Sequence, residues 1–232
     1  MRRLVVFDID GTLTDTVSVD DECYLRAVAD VLDLDRSLLD WSDAPHVTDA
    51  GILEWLADRH SRGPLNPLTT QAVVERFIEY LECEAEASPH RFGPVAGARE
   101  IVGALRQAHW HVALATGAWE PSARLKLERA GIDTIGVALA SATDAPTRTA
   151  IMRLAAARAR RDGDPFDRTV SVGDGVWDVR AARDLGWPFV GIASGERANA
   201  LRRAGAAAIL PDLADVDAFV ATLDTAQIPR AL

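Results

Sequence analysis

Six short apolar runs punctuate the chain: Leu4–Phe7, Val112–Ala115, Val137–Ala140, Val170–Val172, Phe189–Ile192 and, more weakly, Ala207–Leu210. They are largely apolar rather than alternating with polar residues, as expected of strands buried on both faces of a parallel sheet. Helical patterns lie between them. Pro121 near the start and Gly131 just past the end bracket a helix over Pro121–Ala130, with Leu125 on its core side. Thr147 is placed to cap a helix carrying the apolar stripe Ile151, Leu154 and Ala155. Further helices are expected at Ala98–Ala108, Trp177–Leu185, Arg197–Ala204 and Leu213–Leu223. Strand alternating with helix predicts an α/β fold built on a doubly wound parallel sheet.

One stretch breaks the alternation. From Thr16 to Phe92 the chain reads as helices alone, at Cys23–Leu32, Ile52–Arg59 and Thr70–Glu82, with polar joints such as Ser61–Pro67. This predicts an all-helical domain of residues 16–92 inserted into a core domain of residues 1–15 and 93–232. A chain of 232 residues can bury a core and still carry such an insert. Its 48% hydrophobic and 26% charged content excludes the disordered classes. The net charge of −10 removes any general attraction to nucleic acid or to an anionic membrane surface. No apolar run approaches spanning length, and Leu4–Phe7 is too short for a signal segment. Cys23 and Cys83 lack metal-ligand spacing, so two buried thiols in a reducing cytoplasm are expected. Composition does not bear on oligomeric state.

Three segments carry chemistry. DIDGTLTDT, Asp8–Thr16, follows the first strand, and in a doubly wound sheet ligands bind at the carboxyl ends of strands. Asp8 and Asp10 could bind a hard cation, divide nucleophilic and acid–base roles, or simply end the strand as an acidic turn. SVGDGVWDVRAA, Ser171–Ala182, places Asp174 after another strand and Asp178 four residues on, either as ligands or as caps of the helix that starts there. Four carboxylates converging on one sheet edge repel one another unless a cation such as Mg²⁺ neutralises them. ALATGAW, Ala113–Trp119, ends a strand in a turn where Thr116 and the following amides could cradle phosphate oxygens.

Together these segments resemble the haloacid dehalogenase superfamily of phosphohydrolases. DIDGTLTDT is similar to its first motif, Thr116 to the hydroxyl residue ending the second strand, and GDGVWD to its GDxxxD motif. The resemblance implies a Rossmann-like core with a helical C1 cap, as in phosphoglycolate phosphatase-like and β-phosphoglucomutase-like members. It implies Asp8 as nucleophile forming an aspartyl-phosphate, and Asp10 as general acid and then base. Mg²⁺ would be held by Asp8, the Asp10 backbone carbonyl and Asp174, with Asp178 behind them. Thr116, Gly117 and the amides of Asp10–Gly11 would bind the phosphoryl group.

The family's third motif is a lysine at the start of the helix before GDxxxD. Arg148 stands there in this sequence, and the single lysine, Lys126, lies on the helix after Thr116. Arginine neutralises phosphate with a different shape from lysine, so Arg148 is the expected phosphate ligand, and Lys126 is either the alternative holder of that role or a solvated surface charge. The implied function is a cytoplasmic Mg²⁺-dependent phosphatase acting on a small phosphorylated metabolite. Its alternatives are a phosphomutase on the same core, or a catalytically weak metal- or phosphate-binding regulator. A dehalogenase does not need Asp10. His46, Thr48, Asp49, Gly51 and Trp119 are candidates for substrate selection, with His46 a surface loop residue, Asp49 an N-cap and Trp119 core packing as their plainer roles. Trp41, Trp55, Trp110 and Trp187 are expected to pack.

Overall fold

A computed structural model describes residues 1–160 and 163–231. Its strands fall on the six apolar runs: β1 Arg3–Phe7, β2 Trp110–Ala115, β3 Ala138–Ala140, β4 Arg168–Gly173, β5 Phe189–Ile192 and β6 Ala208–Leu210. They form one sheet in the order β3-β2-β1-β4-β5-β6, and every pairing is parallel. Phe7 pairs with Leu114 on one side and Val172 on the other. The chain segments that follow β1, β2 and β4 therefore leave the sheet side by side, at the crevice where the strand order reverses.

The sheet is buried on both faces, which explains the unbroken apolar runs. Val5 and Phe7 join Ile101, Leu105 and Phe219 from α4 (Ala98–Gln107) and α9 (Val216–Thr225) in one cluster. Leu4 and Val6 join Ile151, Met152 and Ala155 of α6 (Arg148–Arg158) in another. The remaining helices of this part are α5 (Glu120–Arg129), α7 (Val176–Leu185) and α8 (Gly195–Arg203). Thr147 caps α6 by accepting from Ala150 N, as expected.

Between β1 and α4 the described structure holds helices only: α1 (Val17–Leu32), α2 (Asp49–Arg59), α3 (Pro67–Ala87) and two 3₁₀ turns. They share a separate apolar cluster that includes Val28, Leu53, Leu56, Val73, Phe77 and Leu81. Tyr24 meets Phe77 edge-on with centroids 5.6 Å apart, and Trp119, which precedes α5, joins both rings.

Several local expectations are corrected. Helix α1 begins at Val17 rather than Cys23, because Thr14 and Thr16 hydrogen-bond each other and turn the chain straight into a helix. Asn66 caps α3, with Pro67 as its first residue, so the helix runs past both expected ends. Helix α9 starts at Val216, where Asp215 accepts from Ala218 N, leaving Leu213 buried ahead of it. Leu125 packs half-buried against the helical cluster, while Ala123 and Leu127 of α5 face the sheet. Cys83 is exposed, so only Cys23 is a buried thiol, and burial pushes it up to about 12. No described helix is long and apolar enough to cross a membrane.

Candidate active site

The loop after β1 folds back on the end of its strand. The amides of Thr12, Leu13 and Thr14 all point to Ile9 O, and Gly11 adopts φ +77°. A Cβ at Gly11 would lie 2.1 Å from Asp174 Oδ2. Glycine is therefore required both for the turn and for the close approach of this loop to the end of β4.

That approach assembles a buried acidic cluster. Carboxylate oxygens of Asp8, Asp174 and Asp178 lie within 4.8 Å of one another, all three side chains buried. Burial raises Asp8 well above the ordinary carboxylate range; Arg148 opposes this, and Asp178 and Asp174 add to it. Burial, with Asp178, pushes Asp174 up to about 7 against Arg197 and Arg148. Buried like charges of this kind are relieved by a cation, and an all-oxygen donor set is what Mg²⁺ takes. The residues present therefore fit the ion. Asp178 also accepts from Gly175 N at 3.1 Å, so its capping role is real and coexists with the cluster.

Arg148, the first residue of α6, reaches this cluster. Its Nη1 donates to Asp8 Oδ1 at 2.7 Å and lies 3.4 Å from Asp178 Oδ1. Its Nε is buried without a partner, a donor still free for an anion. Gly117 lies against the same guanidinium: a Cβ there would come within 3.1 Å of Nη2. Thr116, buried at the end of β2, accepts from Ala118 N at 3.1 Å, which leaves its own proton available.

Lys126 contradicts its expected exposure. It is 0% exposed, and its Nζ donates to Asp10 Oδ2 at 2.7 Å and to Asp20. The other Asp10 oxygen accepts from Thr16 Oγ1 at 2.6 Å. Burial works against charge on Lys126, but Asp10, Asp20 and Asp49 outweigh it and hold the amine above its ordinary value. Asp10 lies outside the three-carboxylate cluster, so its side chain is held by Lys126 and Thr16.

The helical segment closes over these groups. Asp49 N donates to Gly117 O at 2.8 Å, and Asp49 Oδ2 accepts from Trp119 N at 2.8 Å. Thr48, not Asp49, is the N-cap of α2; its hydroxyl accepts from Gly51 N and donates to Pro146 O. Beneath this lid lies a cavity of about 90 Å³ bounded by Asp8, Asp10, Thr116, Gly117 and Arg148. Its other wall carries residues missed in the sequence: Asp20, Asp21, Trp177, and Trp41, expected only to pack. Had α1 been placed from Val17, Asp20 would have fallen in its first turn, beside the Asp8–Thr16 loop. A larger open groove of about 750 Å³ lies at the amino end of β2, away from every carboxylate of the cluster.

A sequence model of haloacid dehalogenase-like hydrolases matches residues 2–186. The chain belongs to this family. A phosphoglycolate phosphatase of Agrobacterium fabrum is 28% identical over 84% of this chain and 82% of its own length. One from Caulobacter vibrioides is 26% identical over 95% of this chain and 92% of its own. The fold is shared with a crystal structure of a hydrolase from Pseudomonas syringae at TM-score 0.71 and 22% identity, over 95% of this chain and 98% of that one. Membership in this hydrolase family makes the chain an enzyme, with its Asp8–Thr16 loop, Thr116 turn and GDGVWD turn at neighbouring strand ends.

Proposed function

We propose that this protein is a Mg²⁺-dependent phosphatase that hydrolyses a small phosphate monoester through an aspartyl-phosphate on Asp8. The observation that carries the reading is the pairing of each first-motif aspartate with its own cation, Asp8 with Arg148 and Asp10 with Lys126. The curated relatives, phosphoglycolate phosphatases, support the substrate class.

An Asp8 oxygen attacks phosphorus while the ester P–O bond breaks, and Asp10 delivers a proton to the departing oxygen. Asp10, now a base, takes a proton from water as the water attacks the phosphoaspartate. The P–O bond to Asp8 breaks and inorganic phosphate leaves. Asp8 and Asp174 would hold Mg²⁺ with the Asp10 backbone carbonyl, and Asp178, tied to the Gly175 amide, would orient that set. The ion supplies neutralisation of the phosphoryl charge when bound. Arg148, the Thr116 hydroxyl and the Gly117 amide bind the phosphoryl oxygens, the positioning and charge stabilisation that phosphoryl transfer chiefly needs. Lys126 and Thr16 each meet one oxygen of Asp10 and fix its side chain, which carries the proton given up in the first step and regained from water in the second. Residues 16–92 act as the cap, anchored by Asp49 to the Thr116–Trp119 turn.

The test is turnover of p-nitrophenyl phosphate with Mg²⁺, stopped by EDTA, in the wild type and two variants. Asp8→Asn should lose all turnover. Asp10→Asn should slow alkyl esters by about 10²–10⁴-fold, the usual worth of general acid–base catalysis. With p-nitrophenyl phosphate it should give a burst of about one nitrophenolate per site, then slow release, as a trapped covalent intermediate requires. Equal losses in both variants, with no trapped phosphate, would favour attack by metal-activated water instead.

A further inference from the structure

The cavity wall away from Arg148 has an unusual balance of charge. Asp20 is paired with Lys126, and Asp49 accepts from Trp119 N. Half-buried Asp21, on the first turns of α1, accepts no hydrogen bond and forms no ion pair at contact distance among the described residues. Arg148 is the one cation among the described residues lining the cavity; it is paired with Asp8, and the proposed mechanism gives it to the phosphoryl group. Arg197 does not line this cavity; it is bound to Asp174 at 3.0 Å and, with Arg36, borders a neighbouring open groove that Asp21 also lines.

A carboxylate on the leaving group would therefore enter beside Asp20, Asp21 and Asp49, with no free cation among the described lining residues and the unpartnered Trp177 indole N–H as a neutral donor. Desolvating it without an opposite charge is strongly unfavourable. The same wall offers two aromatic rings. Trp41 and Trp177 both line the cavity, with centroids 6.4 Å apart at 63°. Aromatic faces beside an unpaired carboxylate are a recognition surface for ammonium groups. The cavity is small, about 90 Å³, and takes the phosphoryl group as well, which favours a compact leaving group.

We propose that Asp21, Trp41 and Trp177 form a leaving-group subsite for an ammonium, so that the enzyme favours short aminoalkyl phosphates over carboxylate-bearing esters such as phosphoglycolate. The inference rests on the phosphatase reading and deepens it by naming the substrate class. Burial and Asp10, against Lys126, push Asp21 up to about 6, below neutral pH.

Three esters of nearly equal size test it with the Mg²⁺-loaded enzyme: 2-aminoethyl phosphate, 2-hydroxyethyl phosphate and phosphoglycolate. Phosphate release should show kcat/KM for the ammonium ester at least about 100-fold above that for phosphoglycolate, the scale on which an unpaired polar group is rejected. The ammonium-to-hydroxyl ratio should fall about tenfold in Asp21→Asn, because a charged partner becomes a neutral one. Asp21→Arg should move the preference toward phosphoglycolate. Phosphoglycolate as the best of the three, or a ratio unmoved by Asp21→Asn, overturns the subsite and leaves the phosphatase reading standing. No phosphate from any of the three, nor from p-nitrophenyl phosphate, overturns both.

Discussion

Two buried cations serve the two aspartates of one short loop, and they do so from opposite kinds of place. Arg148 sits at the first position of α6, lines the cavity, and its side chain keeps 12% of its exposure beside Asp8 and Asp178. Lys126 sits inside α5, is 0% exposed, and bridges Asp10 of the core loop to Asp20 of the helical segment. One faces the space where a phosphoryl group would bind; the other faces only protein. A cation at the cavity can exchange partners during a reaction, whereas a sealed one fixes geometry. Arg148 reaches Asp8 from the motif position that marks it in the sequence. The burial of Lys126 is not legible there, because its two partners lie 116 and 106 residues away in the chain.

The largest effect that can break this contrast is on stability. Lys126→Met removes the charge but keeps much of the volume, stranding Asp10 and Asp20 in a buried site. Breaking one side of a buried ion pair costs about 3–5 kcal/mol. Urea denaturation should show a loss of this size, far above the fraction of a kcal/mol expected for a surface lysine. Adding Asp20→Asn to Lys126→Met should recover part of it, since one stranded charge is gone. Arg148→Met should cost less, because Asp8 borders an open cavity rather than a sealed interior. Equal losses for the two single variants would erase the distinction between a sealed and an open cation.

The second test reads catalysis. Arg148→Ala should lower kcat by about 10²–10³-fold, the usual loss when a preorganised charge on the reacting group is removed. The loss should be similar for alkyl and p-nitrophenyl esters, because Arg148 acts on the phosphoryl oxygens. Lys126→Met acts through Asp10, so its loss should be larger for alkyl esters, whose leaving oxygen needs a proton. If both variants respond alike to the leaving group, Lys126 does not position Asp10.

What could be read in advance follows the same division. The strands were legible because burial on both faces leaves an unbroken apolar run, and the chemistry-bearing turns because each ends such a run. The start of α1 at Val17 was obscured by the polar residues Ser18, Asp20 and Asp21 of its first turns, and that of α9 at Val216 by the apolar Leu213 ahead of its cap Asp215. Cys83 shares the helical pattern of its neighbours, yet it falls on the exposed side of α3. The cavity wall formed by Asp21, Trp41 and Trp177 draws on three distant segments. No local pattern brings those together, so only the fold reveals it.

The smallest test concerns a buried carboxylate that has neither cation in contact. Asp49 is held by a neutral donor, Trp119 N, where it ties the helical segment to the Thr116 turn. Burial pushes it up to about 7, with Lys126 and the Trp119 amide working in the opposite direction. The folded chain therefore keeps this proton up to about pH 7, while the unfolded chain releases it near the ordinary value of about 4. Between those limits the folded state binds more protons, so stability must fall as pH rises. The contribution is complete below pH ~4 and is lost progressively as pH rises to about 7. Asp49→Asn keeps an acceptor for Trp119 N and cannot ionise. Denaturation curves between pH 4.5 and pH 7.5, set by the pKa window above, should then show a flatter decline for the variant than for the wild type. Parallel declines would mean that Asp49 is already ionised in the folded chain. Lys126 would then neutralise a third carboxylate from a distance, and the contrast between sealed pairs and uncharged anchors would lose its third member.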